Sequence, residues 1–128
     1  MAPTPSEETP TTMSNENEKR IDYIEFGVTD LAETRRFYGE LFGWTFEDYG
    51  PEYMSFDDGR LTGGFTTMMP VRPGGPMVIV YTGDLEGMQS NAEKAGGRIT
   101  RPIFSFPGGR RFHFTDPSGN ELAVWSDR

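Results

Sequence analysis

The sequence predicts an α+β fold made of two copies of one strand–helix–three-strand module. Two observations carry this. The pairs Asp30-Leu31 and Asp84-Leu85, 54 residues apart, each open a stretch with helical spacing that ends at a glycine, Gly43 and Gly96. Three short candidate strands follow each helix, so the order βαβββ occurs twice, over about 21–68 and 76–126.

In the first module, Ile24, Phe26 and Val28 alternate with Tyr23, Glu25 and Gly27, the period of a half-buried strand. Asp30 is a good N-cap, and Glu33 three residues on completes a capping-box-like pattern. Leu31, Phe37, Tyr38, Leu41 and Phe42 supply an apolar stripe, and Gly43 suits a left-handed C-terminal cap. Strands are expected at Trp44–Asp48, Tyr53–Asp57 and Leu61–Thr67, separated by the turn signals Gly50-Pro51 and Asp57-Asp58-Gly59. Met69 to Gly75, with two Pro and two Gly, links the modules. In the second module, Met77–Tyr81 reads as a strand, and Asp84 caps a helix that turns Leu85, Met88 and Ala92 inward. Strands then follow at Arg98–Ile103, Arg111–Thr115 and Glu121–Trp125, with Asp116-Pro117-Ser118-Gly119 as the last turn.

The whole chain fits one domain over 20–128. Residues 1–19, rich in Pro, Thr, Ser and Glu and without aromatics, are expected to be a disordered tail. The net charge is −8, half of it from Glu7, Glu8, Glu16 and Glu18, and no basic stripe offsets it, which argues against nucleic acid. No apolar run reaches membrane-spanning length, so no membrane partner is expected. With no cysteine, thiolate metal sites and disulfides are excluded, and a cytoplasmic setting is the default expectation.

The order Val28-Thr29-Asp30-Leu31, Phe37-Tyr38, Leu41-Phe42-Gly43-Trp44, then Gly63-Gly64-Phe65, Gly96-Gly97 and Asp116-Pro117-Ser118-Gly119-Asn120 resembles the vicinal-oxygen-chelate superfamily. Its members include glyoxalase I, extradiol dioxygenases, fosfomycin-resistance enzymes and bleomycin-binding proteins. The resemblance covers about residues 21–126. It implies paired modules whose mixed sheets curl around a cleft, usually in a homodimer. In the metal enzymes of the superfamily, inward His and Glu side chains hold a divalent ion that binds substrate oxygens. Carried onto this chain, those ligand positions fall on Tyr23, on Gly63 or Gly64, at or beside Met77, and on Ala123. These are not donors for zinc, nickel, iron or manganese, so no metal and no cofactor is expected. His113, Glu25 and Glu121 are the only residues from which a substitute metal site could be assembled, and a solvated His with rim carboxylates is the simpler reading.

Strand parity turns Ile24, Phe26, Val28, Val78, Val80, Leu122 and Val124 toward the helices, as core. Tyr23, Glu25, Met77, Ile79, Tyr81, Glu121, Ala123 and Trp125 then face the concave side. Tyr23, Glu25, Met77, Tyr81, His113, Glu121 and Trp125 are accordingly the expected ligand-binding residues, for a small, partly apolar molecule that is conceivably cationic. Arg110 and Arg111, after Pro107-Gly108-Gly109, could form a mobile loop that offers an anion contact, for instance to a substrate carboxylate; exposed loop charges are the simpler reading. No catalytic residue is assigned. Two rival expectations are a metal-dependent lyase or isomerase of glyoxalase I type, and a non-catalytic accessory dimer with a closed cleft.

Overall fold

A computed structural model describes residues 18, 19 and 21–128. The expected tail, apart from its last two residues, lies outside the described residues. Ten elements follow in the predicted order: β1 (Tyr23–Gly27), α1 (Leu31–Phe42), β2 (Thr45–Asp48), β3 (Tyr53–Asp57), β4 (Thr62–Thr66), β5 (Val78–Tyr81), α2 (Leu85–Lys94), β6 (Arg98–Phe106), β7 (Gly109–Thr115) and β8 (Glu121–Ser126). They form two four-stranded mixed sheets, ordered β1-β4-β3-β2 and β5-β8-β7-β6. In each, the first strand of the module runs parallel to the last, and the remaining pairs are antiparallel.

The helix signals act as the sequence suggests. Asp30 accepts from the Glu33 amide at 2.9 Å, and Asp84 from the Gly87 amide at 3.1 Å, so each satisfies an orphan donor of its helix. Gly43 closes α1 at φ 74°, a conformation costly for any residue with a Cβ. The clearest departure is the β6–β7 hairpin. Both strands run longer than expected and turn at Pro107-Gly108, so Arg110 and Arg111 belong to β7 rather than to a loop.

One core serves both modules. Phe37 and Tyr38 of α1 are fully buried and reach both sheets: Tyr38 stacks on Phe65 of β4 at 5.1 Å, and Phe37 meets Phe114 of β7 at 6.0 Å. Burying side chains of this size stabilises by about 2–3 kcal/mol each. A polar clamp adds to the aromatic contacts. Asp116 is buried, and its Oδ1 accepts from the amides of Ser118, Gly119 and Asn120, each at 2.9 Å. Its Oδ2 accepts from the Tyr38 phenol at 2.9 Å and from Asn120 Nδ2. Asn120 Nδ2 also donates to the Gly27 carbonyl at 2.9 Å. The last turn of the second module therefore holds both β1 and α1 of the first.

Leu122 and Val124 are fully buried, but Ile24, Phe26, Val78 and Val80 are only half-buried, which corrects the expectation that all of them are closed core. The reason is topological. β1 and β5 are both edge strands, and an open groove of about 1110 Å³ runs between them over Leu41, Phe42, Trp44 and Met88.

Candidate functional site

Each sheet has a face turned away from the helices, and the two faces carry different chemistry. On the N-terminal sheet, Met54 and Phe56 of β3 point into the core, so Tyr53, Ser55 and Asp57 point outward. The Tyr53 hydroxyl donates to Glu25 Oε2 at 2.7 Å and lies 2.6 Å from the Tyr23 hydroxyl. Since the proton of Tyr53 is committed to Glu25, Tyr23 must donate to Tyr53. The chain Tyr23→Tyr53→Glu25 is thereby polarised toward the carboxylate. Burial first, and then the hydrogen bonds with Tyr23 and Glu25, push the Tyr53 phenol far above the usual tyrosine range, so it stays a donor. Beside this triad, Thr45, Glu47, Tyr49, Asp57 and Thr62 surround a hollow of about 650 Å³.

Gly64 makes the triad possible. A Cβ at this position would stand 2.0 Å from the Tyr53 hydroxyl oxygen and 2.8 Å from that of Tyr23. At Gly63 a Cβ would meet the Ile24 carbonyl oxygen at 2.2 Å and the Phe56 ring at 2.4 Å. Gly63 is thus closed by backbone, whereas at Gly64 the space is taken by the hydroxyl ends of Tyr53 and Tyr23.

On the C-terminal sheet, Phe112 and Phe114 point inward, leaving Arg111 and His113 outward on β7. His113 Nδ1 stands 3.4 Å from Glu121 Oε2, and Glu121 also accepts from Thr100 Oγ1 at 3.0 Å. Phe104 lies 5.7 Å from the imidazole, while Trp125 packs against Tyr81 at 5.4 Å and Phe106 at 6.5 Å. Arg110 is engaged elsewhere, with Glu86 and the Arg128 carbonyl.

The expected ligand-binding residues thus fall into two groups. Tyr23 and Glu25 are hydrogen-bonded through Tyr53; His113 and Glu121 are paired; Tyr81 and Trp125 are in contact; Met77 is 37 % exposed and lies on the linker just before β5. Ala123, between Ile79 and His113 across the ladders, is fully buried. Glu25 belongs to the other sheet from His113 and Glu121, and among the described residues no three His, Asp or Glu side chains gather as a metal-binding set. The residues that the resemblance sets at the ligand positions, Tyr, Gly, Met and Ala, include no imidazole or carboxylate, so a divalent ion of the superfamily's kind does not fit them. Sequence reasoning missed Tyr53 and Phe104, and it marked Gly64 and Arg111 without placing them on these faces. The alternation of Tyr53, Ser55 and Asp57 against Met54 and Phe56 was a usable signal for the first; nothing local announced Phe104.

Comparison with known proteins agrees with this architecture. The model of the Glyoxalase/Bleomycin resistance protein/Dioxygenase superfamily matches residues 20–124. The anthracycline biosynthesis protein DauV of Streptomyces sp. (strain C5) is 31% identical over 124 residues, which covers 80% of this chain and 45% of DauV. The CFP32 protein of Mycobacterium bovis is 25% identical over 115 residues, covering 81% of this chain and 44% of CFP32. The chain therefore spans less than half the length of these curated relatives. Among solved structures, a glyoxalase-related enzyme from Fulvimarina pelagi superposes with a TM-score of 0.72 at 24% identity, covering 84% of this chain and 88% of that one. The fosfomycin resistance protein FosX from Mesorhizobium loti gives 0.71 at 16% identity, with 84% and 92% covered. By sequence along most of its length and by fold, the chain belongs to the glyoxalase/bleomycin resistance/dioxygenase superfamily.

Proposed function

We propose that this protein binds a small, partly apolar molecule on its concave faces without the divalent metal used by metal-dependent relatives. One observation carries the reading. At Gly64, one of the two positions where the resemblance would put a ligating side chain, the space is filled by the hydroxyls of Tyr23 and Tyr53. Phenols, carboxylates and flat aromatic faces are groups that recognise organic ligands directly. The test is a thermal-shift screen of small organic ligands, run beside metal analysis of the dialysed protein. Stabilisation by a ligand, with the metal content far below one per chain, is the expected result. A tightly held stoichiometric divalent ion that restores lyase or isomerase activity would overturn it.

We propose further that the groove between β1 and β5 is covered by a second copy of the chain. The other two edges are guarded: β6 carries Pro102 and register irregularities, and β2 is four residues long and ends in Glu47-Asp48. β1 and β5 carry neither proline nor a register irregularity, and between them expose Tyr23, Ile79 and Tyr81, with Ile21 and Met77 beside them. The faces are complementary in charge, Glu25, Glu47 and Asp57 on one and Arg101 and Arg111 on the other. Sedimentation should give twice the chain mass, and Ile79→Lys should return it to one.

A further inference from the structure

β7 places Arg111 and His113 two residues apart on one face of the C-terminal sheet. His113 is 8% exposed, and its Nε2 is buried without a partner; Arg111 Nε is buried and unpartnered as well. Buried polar groups left unpaired are rare in folded proteins. Two on one strand face mark a place where an outside group would supply what the protein does not. Glu121, at Nδ1, fixes the far side of the imidazole and leaves Nε2 as its free end. Among the described residues neither Arg111 nor Arg101 forms an ion pair with a carboxylate. Both stack on aromatic rings instead: Arg101 over Phe104 at 3.6 Å, and Arg111 over Phe104 at 5.5 Å and Phe106 at 5.7 Å. The surroundings are cationic and flat-walled, with Trp125 beside Phe106.

The geometry points to a subsite for the carboxylate of a planar, conjugated acid. Its oxygens accept from Arg111 Nε–H and, from the imidazole in its doubly protonated form with Nδ1–H turned to Glu121, from His113 Nε2–H, and its ring lies against Phe106 and Trp125. Phe104 is half-buried on the irregular part of edge strand β6 and has to turn outward for the acid to reach the buried Arg111 Nε and His113 Nε2. This inference rests on the cleft-binding reading and narrows it to an anionic headgroup on the second face.

The chain has a single histidine, so its imidazole resonances report on this place alone. Cinnamate titrated into the ¹⁵N-labelled full chain should shift the His113 Nε2 signal saturably. Uncharged cinnamamide should bind about tenfold more weakly, the size of one lost charge-assisted hydrogen bond. Arg111→Gln should weaken cinnamate by a similar factor, and Arg111→Lys should recover only part of it, because the planar fork is gone. Unchanged thermal unfolding of the two variants establishes that they fold. If cinnamamide binds as tightly as cinnamate, the anionic subsite is wrong and the cleft reading stands. If neither moves the His113 signal, the subsite is overturned, and the ligand screen alone decides the cleft reading.

Discussion

The two modules share one topology and have opposite concave chemistry. Their ladders align position by position: Tyr53 opposite Thr66 and Ser55 opposite Gly64 in the first correspond to Arg111 opposite Trp125 and His113 opposite Ala123 in the second. Tyr23 and Glu25 correspond to Met77 and Ile79. Where one sheet presents phenols and carboxylates alone, the other adds a guanidinium, an imidazole and an indole to the single carboxylate of Glu121 and the phenol of Tyr81. The helix-facing positions do not diverge in this way, being Phe and Met in the first module and Phe, Leu and Val in the second. The lesson is that packing constrains one side of each strand, while the other side is free to acquire separate functions.

Several substitutions would break or sharpen that contrast. The largest effect is expected at the clamp both modules share. Asp116→Ala removes the acceptor for five donors and should cost on the order of 4 kcal/mol in chemical denaturation. Loss of a single cooperative transition there would show that the modules unfold separately, against the common core described above.

Next comes the pair of equivalent small residues. Gly64→Ala drives a methyl into the Tyr53 hydroxyl and should cost about 2–3 kcal/mol, while Ala123→Gly, which only removes a buried methyl, should cost about 1 kcal/mol. Equal costs would mean that the phenol pair yields easily. Tyr53→Phe should cost about 1 kcal/mol and free Glu25 from its donor. Double-mutant cycles with Glu25→Gln measure their coupling.

The pH dependence is smaller and lies on the alkaline side. Tyr38, through burial and then the adjacent Asp116 carboxylate, and Tyr53, through burial and then its hydrogen bonds, hold their protons far more tightly folded than unfolded. A raised phenol stabilises fully below the unfolded value, about 10, and that contribution is lost as pH rises through the folded value. Denaturation midpoints should therefore fall above about pH 10, and less steeply in Tyr38→Phe, where one of the two phenols is absent. The smallest effect belongs to the exposed Glu86–Arg110 pair, which lowers the Glu86 carboxyl below its usual range. Glu86→Gln should leave stability at neutral pH nearly unchanged, and any loss should vanish in high salt.

Much of the fold was legible because its signals are local. Asp30, Asp84 and Gly43 announce helix ends through their own hydrogen bonds and backbone angles, and strand parity follows from alternation alone. The extra length of β6 and β7 was hidden because Pro107-Gly108-Gly109 read as an interruption, whereas the hairpin needs Gly108 at φ 107°. The half-buried state of Ile24, Phe26, Val78 and Val80 depends on how the two sheets meet, which no single strand encodes. The same holds for the site. Tyr23 and Glu25 follow from parity, but their link through Tyr53 spans a contact 28 residues away in sequence from Glu25. His113 was visible as the lone imidazole, and its pairing with Glu121 required the register of β7 on β8.

Gly64 also limits how the face around it can change. Any side chain introduced at this point meets the hydroxyl ends of Tyr53 and Tyr23, so it is accommodated only together with a shift of those phenols. Positions 23, 53 and 64 are therefore coupled, and a library that varies all three together should recover folded variants that single changes at Gly64 lose.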